Sequence, residues 1–415
     1  MIKQAVKTWW RAFLSSAASF SRICRRRARR AAALVLCVLF VLSLCSCWSE
    51  RELNTLAIVV GTGLDVGEEP DTVKLTAQVV KASEIGSGPA SGSGGSKEKA
   101  YVNIGYTAKS VLSAAREVTH MQNRRLYFSH NDVLIFSRDL AKLDMAEGLD
   151  AFTRDYEARL NVYLLIAKGS ASEILEEDVD LEKAPALHLS GMMENQKSNS
   201  ETVVVTMRDF IMATMSESTA PVAPMVELYE VEGKKHARLE GTAVFKHGKM
   251  IGELNKAQTR GFLLMTDKSA SRAITVDTQW GQVVLEVNRS HSSLKPVKAE
   301  DGSIRIQLTV NTEEVLQSNE TTQTMSSLKN IEMLKEKTKE SIRSDINSAL
   351  AAAREYSADI FGFGDLIRRD HPKEWEKLKE NWEETFPEIE LDIQLNVELT
   401  STDGLSKPVV PGGTK

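Results

Sequence analysis

The chain has 415 residues, 42% apolar and 26% charged, which is long enough for two or three domains and too evenly composed for collagen, a coiled coil alone or a polytopic membrane protein. Its net charge of −5 conceals a split: residues 1–46 carry nine Lys or Arg and no acid, so the other 369 residues hold 43 basic and 57 acidic side chains, a net of −14. So acidic a body, lacking a basic groove interleaved with aromatics, excludes nucleic acid as an expected partner.

All four cysteines, Cys24, Cys37, Cys45 and Cys47, fall in the first 47 residues. A disulfide framework, a zinc ribbon and a cysteine nucleophile are therefore excluded from the rest. Residues 22–30 are Arg-rich, and Ala31 to Leu44 follows with fourteen uncharged residues, of which only Ser43 is polar. This is the n-region and h-region of a signal sequence. As a helix the apolar run would reach about 21 Å, short of the ~30 Å hydrocarbon core, so a mature membrane span is disfavoured. The run ends Leu44-Cys45-Ser46-Cys47, the order of a bacterial lipobox. Cleavage before Cys47 would make residues 1–46 a lipoprotein signal peptide and Cys47 the lipidated N-terminus; the alternatives are an uncleaved signal anchor and a plain secretory signal. Residues 1–20 exceed what a signal needs, and either precede the true start or add a basic amphipathic segment. A diacylated cysteine supplies two chains, enough for stable anchoring, and the body would lie outside the cytoplasm.

After the anchor, Leu56 to Leu64 is a near-continuous apolar run, and Val73, Leu75, Ala77 and Val79 alternate with polar residues, so two neighbouring strands are expected. Residues 86–96 hold five Gly and four Ser and predict a disordered insertion, since no large apolar side chain repays its ordering. Strands and helices then alternate: a helix over Ala108 to Met121, a strand over Val133 to Phe136, a helix from Asp139 through Arg154, a strand over Leu160 to Ala167 and a short helix near Ser170. This predicts an N-terminal α/β domain over 47–195, with Glu194 to Glu201 as a polar linker. A middle, mostly β domain is expected over 196–300, opening with a helix around Met207 to Met215 and turning at Glu232-Gly233, His247-Gly248 and Trp280-Gly281. Over 301–402 a strand at Ile304 to Val310 precedes a long helix, Ser326 to Ser357. Its apolar stripe (Leu328, Ile331, Leu334, Thr338, Ile342, Ile346, Leu350, Ala353) would lie on a sheet. A second helix at Pro372 to Thr385 and a strand alternating from Ile389 to Leu399 close that domain, and residues 403–415 form a flexible tail. The fold class is thus α+β or α/β, three successive mixed domains behind a signal peptide.

Several motifs together resemble one family, the Ger(x)C lipoproteins, C subunits of nutrient germinant receptors in spore-forming bacteria. They begin with Cys47-Trp48, Arg51 to Asn54 and Ala57 to Asp65. His130 to Leu140 with Lys142, Asp150 to Arg154, and Lys168-Gly169 with Ala171 follow. The rest are Gly241 to Lys246 through Gly252, Thr259-Arg260-Gly261, Ala358-Asp359-Ile360-Phe361-Gly362-Phe363-Gly364, and Trp375 with Trp382. The likeness spans residues 47–402; the Gly/Ser insertion, the long basic N-terminus and Cys45 depart from it. It implies a three-domain lipoprotein outside the inner spore membrane, acting with polytopic membrane subunits and without enzymatic activity or cofactor.

The residues themselves offer little chemistry. Gly61-Thr62-Gly63 with Gly67 lacks dinucleotide-loop spacing and sits beside Glu68, Glu69 and Asp71, so strand termination is expected of it. His120 and His130 lack partners at metal-ligand spacing, and structural histidines are expected. Glu176-Glu177 and Glu383-Glu384 read as solvated charges at helix ends. No GxSxG or P-loop occurs, so no catalytic or metal residue is assigned. Trp375, Leu378 and Trp382, with Phe386, could form a partner-binding stripe, but their spacing favours a buried face. Phe361 to Gly364 reads as a helix-terminating turn. The expected function is a non-catalytic, lipid-anchored receptor subunit; the alternative is a lipoprotein that captures a nutrient directly, which would need a deep aromatic-lined cleft.

Overall fold

The computed structural model describes residues 34, 36–37, 55–81, 99–321, 325 and 327–400. The lipobox Leu44 to Cys47, the insertion at 86–96 and the tail from 403 lie outside the described residues. Elements run β1 (Leu56–Val66), β2 (Val73–Val80), β3 (Tyr101–Ala108), α1 (Val111–Met121), β4 (Arg125–Tyr127), β5 (Val133–Ser137), α2 (Arg138–Leu143), α3 (Ala146–Arg154), β6 (Tyr163–Ala167), α4 (Ala171–Ile174), α5 (Pro185–Asn199), α6 (Met207–Thr214), β7 (Val222–Val231), β8 (Lys234–Lys246), β9 (Lys249–Leu254) and α7 (Lys256–Met265). They continue with β10 (Arg272–Thr278), β11 (Gly281–Lys298), β12 (Ile304–Asn319), α8 (Leu328–Glu355), α9 (Phe363–Asp370), α10 (Pro372–Leu378), α11 (Trp382–Thr385) and β13 (Glu390–Thr400).

Among the described residues nine strands form one mixed sheet in the order β3-β2-β1-β5-β6-β7-β8-β9, with β4 beside the start of β1. The β1 run is apolar on both sides because both sides are covered. Leu64, Leu134, Phe136 and Leu164 enter one core with α1 and α3, whereas Val60, Val133, Ile135 and Leu165 enter another beneath α4 and α5. Each such fully buried side chain contributes about 1.5–3 kcal/mol. Gly61 and Gly63 stand within β1, so they do not end it. A Cβ on Gly61 would lie 2.5 Å from the Cβ of Ala186, and one on Gly63 3.2 Å from the backbone of Ala171; glycine here lets two helices approach the sheet.

A second sheet has the order β10-β11-β12-β13. β12 and β13 are parallel with Ile306 opposite Leu391, and α8 provides the crossover between them. In the expected α8 stripe every position from Leu334 to Ala353 is buried and Ile331 is half-buried, but Leu328 is 87% exposed at the first turn. The first core continues into this half: Leu308, Ile342 and Trp375 belong to the same cluster as Leu64.

Helices and sheets mix as expected, but the divisions fall elsewhere. Position 195 lies inside α5, which absorbs most of the predicted linker and ends with Ser200 at φ 53°. The middle section is shared: β7 pairs with β6 through Met225 and Ile166, so 222–254 completes the first sheet, while β10 and β11 start the second. The helix expected at 139–154 breaks at Asp144, whose carboxylate accepts from Ala146 N at 2.8 Å. The two-residue hairpins Glu232-Gly233 (φ 52° and 79°) and His247-Gly248 (49° and 79°) adopt the left-handed pairs that match strand twist.

Candidate functional site

The later motifs converge where α7, α8 and the α8–α9 turn meet the end of the first sheet. α7 starts from a reciprocal capping box between Asn255 and Gln258. It crosses α8 so closely that a Cβ on Gly261 would lie 2.1 Å from the carbonyl oxygen of Asp345. Beside this contact Asp345, 5% exposed, receives Arg260 Nε at 3.0 Å, Arg260 Nη2 at 2.9 Å and Arg272 Nη1 at 2.8 Å. Hydrogen bonding to Asp345 holds the Arg260 pKa above its usual value. Two guanidinium groups on one carboxylate satisfy its charge without water and fix α7 and β10 to α8.

α8 ends at Glu355, and Ser357 in the turn that follows takes φ 47°. Asp359 comes next in that turn, 3% exposed, accepting from Phe363 N at 3.0 Å and Gly364 N at 2.8 Å. Burial pushes its pKa up to about 6, against the opposing pull of the backbone amides of residues 361–364. Gly362 starts α9 with φ 76°; the turn initiates a helix as well as ending one. Ala220 N donates to the Asp359 carbonyl at 2.8 Å. Asp365 accepts from Ser216 Oγ at 2.8 Å and Thr219 Oγ1 at 2.7 Å, which staples the α6–β7 loop to α9. A Cβ on Gly364 would meet Ser218 Cβ at 2.4 Å.

Trp375 and Trp382 lie beneath this turn, 2% and 4% exposed, with ring centroids 5.3 Å apart. Phe386 lies 6.2 Å from Trp382 and 5.9 Å from Phe363. The two indoles therefore form no surface stripe: they pack α10 and α11 onto the domain, because the 375/382/386 spacing turns all three rings to the same interior. A cavity of 260 Å³ lined by Phe210, Val222, Phe262, Phe361, Asp209 and Lys268 flanks the α6–β7 loop on one side. A smaller one of 140 Å³ lies on the other, by Ser216, Asp359 and Trp382. At its rim Glu383 pairs with Lys246 Nζ at 2.6 Å and His247 Nε2 at 3.0 Å. Both volumes fall below the ~300 Å³ of a typical small-molecule site.

Asp359 is 3% exposed, and the Ser216 and Thr219 hydroxyls at Asp365 bind the α6–β7 loop to α9. Among the described residues no group of three His, Cys, Asp or Glu side chains could hold a metal, and no helix is long and apolar enough to cross a membrane. His120 and His130 are both exposed, not core histidines. Glu383 and Glu384 are exposed as expected, and so is Glu176, but Glu177 is 1% exposed. Its Oε2 accepts from Ala237 N at 2.6 Å, and desolvation raises its pKa to about 7. Local sequence carries no signal for this, since the covering strand is sixty residues away. Cys47, Leu44, Cys45 and Ser46 lie outside the described residues.

Residues 49–228 match the family described as the spore germination protein N-terminal domain, and residues 240–403 that described as spore germination B3/GerAC like, C-terminal. The chain is 28% identical over 398 residues to the spore germination protein YndF of Bacillus subtilis (strain 168), covering 90% of this chain and 96% of that one. It is 25% identical over 405 residues to the spore germination protein KC of the same organism, covering 92% and 98%. A solved structure, the crystal structure of the GerBC protein, shares the fold with a TM-score of 0.54 at 19% identity, over 83% of this chain and 99% of that one. The motifs of the joint thus belong to matches that together take in most of the sequence, and the chain belongs to the Ger(x)C family of spore germination proteins.

Proposed function

We propose that this protein is a non-catalytic subunit of a spore nutrient germinant receptor, held by a lipid on Cys47 at the outer face of the inner spore membrane and acting through polytopic membrane subunits. A role in spore germination follows from its family. The observation that carries the finer reading is the use made of the motif residues: Gly261, Asp359 and Gly364 are consumed in joining elements, which is the construction of a rigid body that works through its surfaces. A tether would raise its effective concentration beside membrane partners. The cavities at the joint are small for a nutrient site, which weakens direct capture.

Deleting the protein should abolish germination triggered by one nutrient class, leave non-nutrient triggers effective and lower the abundance of the membrane subunits. Calorimetry on the purified protein should detect no saturable nutrient binding. Micromolar binding of an amino acid or sugar would overturn the reading in favour of a ligand-binding lipoprotein. Palmitate labelling should be lost in Cys47→Ala and kept in Cys45→Ala.

A further inference from the structure

The chain enters its folded body at the start of β1, and two segments beside that entry expose Arg and His side chains, unlike the acidic body as a whole. Leu56 pairs with Arg125 of β4, which follows closely on the end of α1 at Met121. The loop after α3 returns to the same place: Arg125 Nη2 lies 2.7 Å from Glu157 Oε1, and Ser129 Oγ donates to the Glu157 carbonyl at 2.8 Å. In residues 119–130 and 154–161 every exposed charged or imidazole side chain is Arg or His, namely His120, Arg124, Arg125, His130, Arg154 and Arg159; of these Arg154 is ion-paired with Asp150, one turn earlier on α3. The acids within and beside these segments are mostly drawn in, with Asp132 half-buried by Arg159 and His130 and the exposed Glu194 near it. Asp155 is half-buried and accepts from Glu157 N at 2.9 Å, and Glu157 is 8% exposed and ion-paired. Among these side chains Tyr156 is 78% exposed, Met121 53% and Leu160 43%. In a body of net charge −14, a stretch whose exposed charged side chains are all Arg stands out.

Its position gives it an occupant. Nine steps of chain separate Cys47 from Leu56, a reach of at most about 32 Å when extended. We propose that this basic end of the first sheet, tipped by Tyr156, rests on the anionic headgroup surface of the membrane that holds the anchor. The inference rests on the reading of Cys47 as the lipidated residue. Arginine is drawn to anionic lipid, tyrosine favours the headgroup level, and the short tether lets a weak contact persist. The Glu68–Asp71 end of the β1–β2 hairpin would then face away from the bilayer.

The test uses the full lipidated protein in vesicles of lipid alone, containing brominated phospholipid, with a fluorophore on Tyr156→Cys or, as control, on Glu69→Cys. The Tyr156 label should be quenched in phosphatidylglycerol vesicles and much less in phosphatidylcholine; the control should stay bright in both. Arg124→Glu with Arg159→Glu should weaken the contact about fivefold or more per arginine, and Arg→Gln at both sites by less, with melting temperatures matching the parent. An unquenched Tyr156 label on protein whose mass shows the lipid on Cys47 overturns the contact alone. Equal quenching in both lipids, or at both labels, overturns it too. An unmodified Cys47 overturns the contact together with the anchor reading, and the mass distinguishes that failure from the first.

Discussion

Substituting Glu177 by glutamine should change how stability depends on pH more than it changes stability itself. In the folded protein this carboxyl is 1% exposed. One oxygen accepts from Ala237 N at 2.6 Å, and Oε1 meets no donor among the described residues. Desolvation, aided by the neighbouring Asp178 charge and opposed by the Ala237 amide, raises its pKa from 4.5 to about 7. A carboxyl with a higher pKa in the folded than in the unfolded chain binds its proton more tightly when folded. Its contribution is therefore full below about pH 4.5, declines as pH rises and is lost above about pH 7. The difference between the two pKa values sets a ceiling of about 3 kcal/mol at 1.36 kcal/mol per tenfold. Glutamine keeps the acceptor for Ala237 and cannot ionise. Its NH₂ finds no better partner than the protonated acid would, so the two proteins should unfold alike near pH 4. Near pH 8.5 Glu177→Gln should be the more stable by about 2–3 kcal/mol. Urea unfolding at both pH values measures this, and hydrogen exchange at the Ala237 amide reports the same opening locally. A variant whose difference from the parent is constant with pH, or which loses stability as pH rises, would refute the reasoning.

Asp359→Asn turns an NH₂ toward one of two backbone amides and should cost about 1–3 kcal/mol in the same unfolding assay. Gly261→Ala should be worse, about 3 kcal/mol, since the atom in the way is the Asp345 backbone and cannot rotate aside; calorimetric melting checks it. Trp375→Ala should cost about 3–5 kcal/mol as a buried aromatic truncation. Trp382→Phe should cost under about 1.5 kcal/mol, because its buried indole N–H has no acceptor among the described residues and its loss offsets part of the lost packing; a larger loss would reveal a partner for that group.

The elements were legible wherever a signal is local. Alternation marked β2 and β13, the hairpin pairs at 232–233 and 247–248 fixed their turns, and the three-and-four spacing of α8 chose its inward face. The family motifs were equally plain as strings, but their work was not. Gly61 and Gly63 looked like a strand end and are strand interior, because the reason for glycine is Ala186 and Ala171 arriving from more than a hundred residues away. The boundary at 195 failed for a related reason: β6 and β7 are joined by hydrogen bonds that no window across α5 contains. Charge pattern treated Glu176 and Glu177 as one solvated pair, yet the β8 backbone buries the second. The spacing of Trp375 and Trp382 put both on one face and favoured its burial, and the structure shows that the packed turn at Phe361 to Gly364 covers it. Periodicity describes one element against an average environment, so composition and spacing determined most strands, helices and turns of this protein. Which surfaces meet depends on close approaches between distant segments, and these the tertiary structure alone decided.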